Sequence, residues 1–194
     1  AQESLLIVSP YLVPRDNAAT GYEALQDSGI QVDILTNSLS SSDHTLVHSG
    51  YASSRKALLE HGVRLYEVRG DLHIEGTRES GQRKAKSSLH TKAFIVDKRY
   101  FFMGSFNWDP RSADINTELG IIIESPEIAT RLADRFYKLA PQMCYIPFLD
   151  DQGRLRWREF NNGKTEILSK EPDTTAYQRL KANLGRVLPV RNQL

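Results

Sequence analysis

One cysteine, Cys144, stands among 194 residues, which excludes an internal disulfide and any zinc site built on cysteines, and leaves the redox compartment open. No apolar run approaches the roughly 20 residues that cross a bilayer; the run ending at Ile121-Ile122-Ile123 falls far short. Charge of one sign is also missing: Lys plus Arg total 25 and Asp plus Glu 24, for a net charge of +1. The global positive field of a protein that coats nucleic acid is therefore absent, and any recognition of a polyanion has to be local. Gly 12 and Pro 8, beside 40% hydrophobic and 25% charged residues, rule out collagen-like, low-complexity and largely disordered classes. The chain opens without an initiator methionine or a charged-then-apolar leader, so the expectation is a piece of a longer protein.

The length suits one compact domain with an appendage. Apolar runs at 5–8 and 32–35 bracket a helix-like stretch at 21–28, and Gly29 separates the stretch from the second run. Asp43 stands where a helix N-cap belongs, Val47, Tyr51 and Leu58 share one helical face, and Gly62 precedes a strand at 63–68. This βαβα alternation predicts an α/β lobe with a mixed, largely parallel sheet flanked by helices. Residues 70–88 lose the apolar pattern and read as a surface loop, and 78–99 carries seven bases against two acids. Strands are expected at 89–96, 100–103 and 117–123. Ser125-Pro126 then opens a helix with Ile128, Leu132, Phe136 and Leu139 on one face. Beyond Pro147 the composition turns polar, with a hairpin expected at 161–163 and a last helix carrying Tyr177, Leu180 and Leu184. Residues 1–149 are read as the main lobe and 150–194 as its extension.

One segment carries chemistry: His90-Thr91-Lys92, four residues to Asp97, then six to Gly104-Ser105-Phe106-Asn107. His90 and Lys92, two apart on the expected strand, leave the same face and can meet one substrate. An imidazole serves as nucleophile or acid/base near neutral pH, and an ammonium is a compact charge for a phosphate oxygen. Gly104 permits close backbone approach, so that Ser105 and Asn107 can offer hydrogen bonds to phosphoryl oxygens. Glu118 is a candidate to hold the imidazole in its useful tautomer.

The pattern His90-x-Lys92-x4-Asp97-x6-Gly104-Ser105-x-Asn107 resembles the full HKD signature of the phospholipase D superfamily. Six specified residues at fixed spacing arise by chance in a chain of this length on the order of once in a million. Ser9-Pro10-Tyr11, Thr36-Asn37-Ser38-Leu39, Val47-His48-Ser49-Gly50-Tyr51, Asp109-Pro110-Arg111-Ser112 and Asn116-Thr117-Glu118 extend the likeness, as does the tail from Arg154. These stretches are similar to the second half of bacterial cardiolipin synthases of the C type.

The resemblance implies a covalent, two-step, metal-independent reaction without a cofactor. One motif's histidine attacks phosphorus and the other's protonates the leaving alcohol. The activity implied is phosphatidyl transfer between phospholipids; the alternative is a phospholipase D-type nuclease with the same chemistry. His90 becomes nucleophile or acid/base, Lys92, Ser105 and Asn107 hold the phosphate, Glu118 partners the histidine, and Asp97 fixes a loop. Of the five histidines only His90 has lysine two residues on, so half of the site is missing. Either an N-terminal HKD lobe of the same protein or a second copy completes it. The implied substrate is an anionic phospholipid, phosphatidylglycerol with phosphatidylethanolamine as a possible co-substrate. The implied place is the surface of the bacterial inner membrane, held peripherally, with no nucleic acid as partner.

Three further features invite a chemical reading. His44 and His48 lie four apart, but Thr45 stands where a zincin carries glutamate, so lining of the cleft is expected rather than metal binding. Gly76 to Gly81 is followed by Gln82-Arg83 instead of Lys-Ser/Thr and is not read as a nucleotide loop. The cluster at 83–86 is either a solvated loop or an attractor of anionic headgroups.

Overall fold

A computed structural model of the chain describes residues 1–14, 18–72, 87–161 and 163–185. Its elements are β1 (Ser4–Val8), α1 (Ala18–Asp27), β2 (Gln31–Asn37), α2 (Thr45–Glu60), β3 (Arg64–Val68), β4 (Ala93–Val96), β5 (Tyr100–Gly104), α3 (Pro110–Asp114), β6 (Gly120–Glu124), α4 (Pro126–Met143), β7 (Cys144–Leu149), β8 (Leu155–Asn161), β9 (Lys164–Leu168) and α5 (Ala176–Gly185). Among the described residues the strands form one sheet in the order β6-β5-β4-β1-β2-β3-β7-β8-β9.

The α/β expectation holds, but the expectation of a largely parallel sheet is corrected. Among the described strands only β1–β2 and β2–β3 pair in parallel; β1–β4, β3–β7, β4–β5, β5–β6, β7–β8 and β8–β9 are antiparallel. A parallel neighbour needs a helical crossover, and α1 and α2 supply one each; short connections join β4–β5, β7–β8 and β8–β9. Asp97 (φ 54) and Lys98 (φ 48) form such a turn between β4 and β5, with both central residues left-handed as a type I′ geometry requires.

The two faces of the sheet carry separate cores because successive side chains point oppositely. Ile7, Val32, Ile34 and Leu65 pack under α1 and α2 with Tyr22, Tyr51 and Leu58. Leu6 and Ile95 pack under α4 against Ala129 and Ala133. Helix α4 begins as expected: Ser125 Oγ accepts from Ile128 N–H at 3.4 Å and Pro126 follows. Helix α2 begins one residue later than expected, at an N-cap His44 that makes no side-chain cap bond. Asp43 is instead engaged by Tyr11, whose hydroxyl donates to it at 3.2 Å.

The segment from 150 onward is stitched into the same sheet through β8 and β9. A buried charge network ties it down: Arg55 lies 3.0 Å from Glu67 and donates to Glu171 at 2.8 Å, while Trp157 Nε1 donates to Glu67 at 2.9 Å. Burial pushes Glu67 up, partly offset by Arg55; Arg55 holds Glu171 down against its own desolvation. His48 belongs to this network, 3.2 Å from Arg55, so it is a buried structural group and not a wall of the cleft. Helix α5 docks on α2 through its small residues, with Ser49 Oγ donating to Ala182 O at 2.9 Å. That arrangement turns Tyr177, Leu180 and Leu184 outward.

Candidate active site

Antiparallel pairing of β1 with β4 brings the residues after β1 beside those before β4. The segment after β5 joins them: Trp108 N–H donates to Ser9 Oγ at 3.0 Å, and Val13 N–H to Trp108 O at 2.9 Å. Three loops therefore meet at one end of the sheet. His90 and Lys92 lie in the residues just before β4, which begins at Ala93 rather than at 89. They still converge, because Lys92 Nζ stands 3.5 Å from His90 Nε2 and donates to His90 O at 3.1 Å. The ammonium also lies 5.8 Å from the centre of the Tyr11 ring, within reach of a cation–π interaction. Partial burial lowers the Lys92 pKa from its ordinary value, while Glu118, Asp109 and Asp43 oppose the shift.

Ser105 and Glu118 are joined across the β5–β6 pair. Ser105 Oγ donates to Glu118 Oε2, and Asn116 Nδ2 donates to Glu118 Oε1 at 3.2 Å. The Ser105 hydroxyl holds Glu118 below the ordinary carboxylate range, and Asn116 and Lys92 add to the effect. In this lobe the carboxylate thus grips Ser105 and Asn116 instead of the His90 ring. Asn107 N–H donates to Ser112 Oγ at 3.3 Å. The side-chain Oδ1 of Asn107 is buried without a hydrogen-bond partner among the described residues, which marks a place where a donor is missing.

Gly104 does serve close approach, but the neighbour is β6. A Cβ on Gly104 would lie 2.4 Å from Leu119 O and 2.7 Å from the Cα of Gly120.

Asp97 sits apart from this group, at the opposite end of β4. Its carboxylate accepts from the backbone N–H groups of Gln2, Glu3 and Ser4 at 2.8 to 3.0 Å. Those bonds keep its pKa below the ordinary value although desolvation works the other way.

The sequence reading placed Asn37 in a stretch similar to the family but gave it no role. This buried amide ends β2 and takes both main-chain groups of Leu89: Leu89 N–H donates to Oδ1 at 2.9 Å, and Nδ2 donates to Leu89 O at 3.1 Å. Nδ2 also reaches Pro10 O at 3.3 Å, and Ser41 Oγ donates to Oδ1 at 3.1 Å. One side chain thus clamps the residue before His90 and the loop after β1. Its signal was a polar amide closing the apolar run 32–35 at the carboxyl end of a parallel strand, where crevices of α/β sheets form. The basic cluster at 83–86, the glycines at 76 and 81, and His73 lie outside the described residues.

An exposed imidazole, a neighbouring ammonium, a serine hydroxyl and the Asn107 amide group form a surface suited to a phosphodiester. Residues 1–140 match the family model described as cardiolipin synthase, PLD-like domain. The chain belongs to that family. Cardiolipin synthase C of Escherichia coli is 39% identical over 97% of this chain, and cardiolipin synthase A of Serratia proteamaculans 29% identical over 69%. The chain spans 40% of the first relative's length and 24% of the second's. Among solved structures, NucT from Helicobacter pylori aligns over 74% of this chain and 82% of its own at a TM-score of 0.55 and 21% identity. The phospholipase D family member Nuc from Salmonella typhimurium aligns over 71% and 78% at 0.51 and 17%. These similarities establish the phospholipase D-type fold for the PLD-like domain.

Proposed function

We propose that residues 1–149 are the C-terminal catalytic lobe of a cardiolipin-forming phosphatidyltransferase, and that 150–194 extend the same lobe. The observation that carries this reading is the convergence of His90, Lys92, Ser105 and Asn107 at one end of the sheet, in a chain similar over nearly its whole length to a cardiolipin synthase.

In the first step a histidine nitrogen of a partner lobe bonds to the phosphorus of phosphatidylglycerol. The P–O bond to the headgroup breaks, and His90 gives its proton to the departing glycerol oxygen. In the second step the glycerol hydroxyl of another phosphatidylglycerol loses its proton to His90 and bonds to phosphorus. The P–N bond breaks, leaving cardiolipin and free glycerol as products. Lys92, Ser105 and Asn107 hold the phosphoryl oxygens as charge builds on them. Glu118 keeps Ser105 in place, and Asp97 anchors the β4–β5 turn. Phosphatidylethanolamine is the alternative co-substrate.

The partner is an N-terminal HKD lobe of the same protein or a second copy. The edge strand β6 favours such a lobe: it ends the sheet beside the site and exposes Ile122 at 70%, next to Leu119 at 82%. Apolar edges of this kind are normally covered. The working place is the surface of the bacterial inner membrane. Among the described residues no helix is long and apolar enough to cross a membrane.

The test is turnover of phosphatidylglycerol vesicles by the full-length protein, with products separated by mass. Cardiolipin and glycerol are expected, and His90→Ala abolishes both. Phosphatidic acid as the only lipid product, or cleavage of DNA in place of lipid, overturns the transferase reading.

A further inference from the structure

Helix α4 packs on the sheet through Ala129 and Ala133. Between its Leu132–Met143 side and the sheet lies an open cavity of about 490 Å³. Val8, Leu35, Leu132, Phe136, Leu139 and Met143 line it, and Arg135 is the one charged residue among its described lining. An apolar cavity of that size is unfavourable when filled with water, so its lining calls for an apolar occupant.

The mouth lies at the catalytic segment. Leu89 and Thr91 line the cavity, whereas His90, between them in sequence, is exposed and meets Lys92. The cavity therefore reaches the residues that flank His90 on both sides in the chain.

Resting on the transferase reading above, we propose that this cavity holds one acyl chain of the phospholipid whose phosphate is bound at His90. At about 490 Å³ the cavity has room for many methylenes of an acyl chain. The bound molecule is therefore a long-chain, single-phosphate amphiphile. Its tail runs between α4 and the sheet. The site would select for chain length, a property that headgroup chemistry at Lys92, Ser105 and Asn107 does not supply.

The experiment uses the full-length protein in one detergent with phosphatidylglycerols carrying either two palmitoyl or two hexanoyl chains, and a Leu139→Trp variant that fills the cavity. The expected result is a preference for palmitoyl substrate in kcat/KM. In Leu139→Trp the palmitoyl-to-hexanoyl ratio falls by about tenfold, as displacement of two or more methylenes requires. An unchanged ratio overturns the proposal. A second readout needs no turnover: phosphatidylglycerol with a diazirine at the end of one acyl chain is photolysed with the protein, and the adduct is mapped. Labelling within 132–143 that disappears in Leu139→Trp supports the acyl site even where no cardiolipin forms, an outcome that would defeat only the transferase reading. Absence of label there, with cardiolipin made normally, gives the cavity to a protein segment and overturns the acyl site alone.

Discussion

Replacing Asn37 by alanine tests whether the clamp on Leu89 positions His90 for the proposed reaction. The substitution removes the acceptor for Leu89 N–H at 2.9 Å and for Ser41 Oγ at 3.1 Å, and the donors to Leu89 O at 3.1 Å and Pro10 O at 3.3 Å. A net hydrogen bond contributes about 1 kcal/mol, and a buried group left unpaired costs somewhat more. The Pro10 bond is long, so roughly 3 kcal/mol is lost in all. For a chain of this size that corresponds to a fall in Tm of about 6 to 12 °C. The catalytic effect is separate. With Leu89 released, the next residue, His90, is free to shift by about 1 Å, a displacement that costs on the order of a hundredfold in rate. The assay is kcat and KM of the full-length enzyme at a temperature where the variant is fully folded, beside urea unfolding of both proteins. A fall in kcat with KM nearly constant supports a positioning role. Loss of stability with kcat intact would refute it, since Asn37 would then be only a structural plug. Asn37→Asp sharpens the comparison: it keeps the acceptor for Leu89 N–H but sets a carboxylate oxygen against Leu89 O, so kcat should remain low while the volume is preserved.

Arg55→Met leaves the Glu67 and Glu171 carboxylates buried without their cation, which should cost about 3 to 5 kcal/mol. Faster amide exchange in β9 and α5 should accompany the loss, and a change below about 1 kcal/mol on thermal unfolding would contradict the role given to this network. Asp97 titrates below its ordinary value when folded, so its stabilisation is present above about pH 4 and fades as pH falls through the folded-state value. Asp97→Asn should therefore be less stable at neutral pH and less acid-sensitive, and parallel plots of urea midpoint against pH for the two proteins would refute the anchor. Gly104→Ala pushes a Cβ against Leu119 O at 2.4 Å, a backbone contact that cannot rotate away. It should destabilise by about 1 to 3 kcal/mol and separate Ser105 from Glu118, seen as lost activity and faster exchange in β6; a fully active, equally stable variant would show that the glycine pair is incidental.

Much of the site was legible because its signals are local. The spacing from His90 to Asn107, the strand–helix alternation through Val68, and the Ser125-Pro126 helix start all depend on residues within a few positions of one another. The α/β class followed from the first 68 residues, where helical crossovers enforce parallel pairing. The direction of the remaining strands was not legible, because a strand reads the same in sequence whichever way its neighbour runs.

The sequence by itself determined the chemistry available: an imidazole, an ammonium, a hydroxyl and an amide at spacings suited to one phosphodiester, with no excess charge to draw a polyanion from afar. Tertiary structure alone decided how those groups are used. Asn37 meets Leu89 across 52 residues, and Asp97 meets Ser4 across 93. His48, four residues from His44 and expected to line the cleft, is buried beside Arg55 and Glu171 instead. Glu118 turned to Ser105, and α4 and the sheet enclose a cavity lined by Leu89 and Thr91 on either side of His90 in the chain. Each of these outcomes rests on which distant surfaces pack together, and packing is a property of volumes and directions in space that local pattern and spacing do not encode.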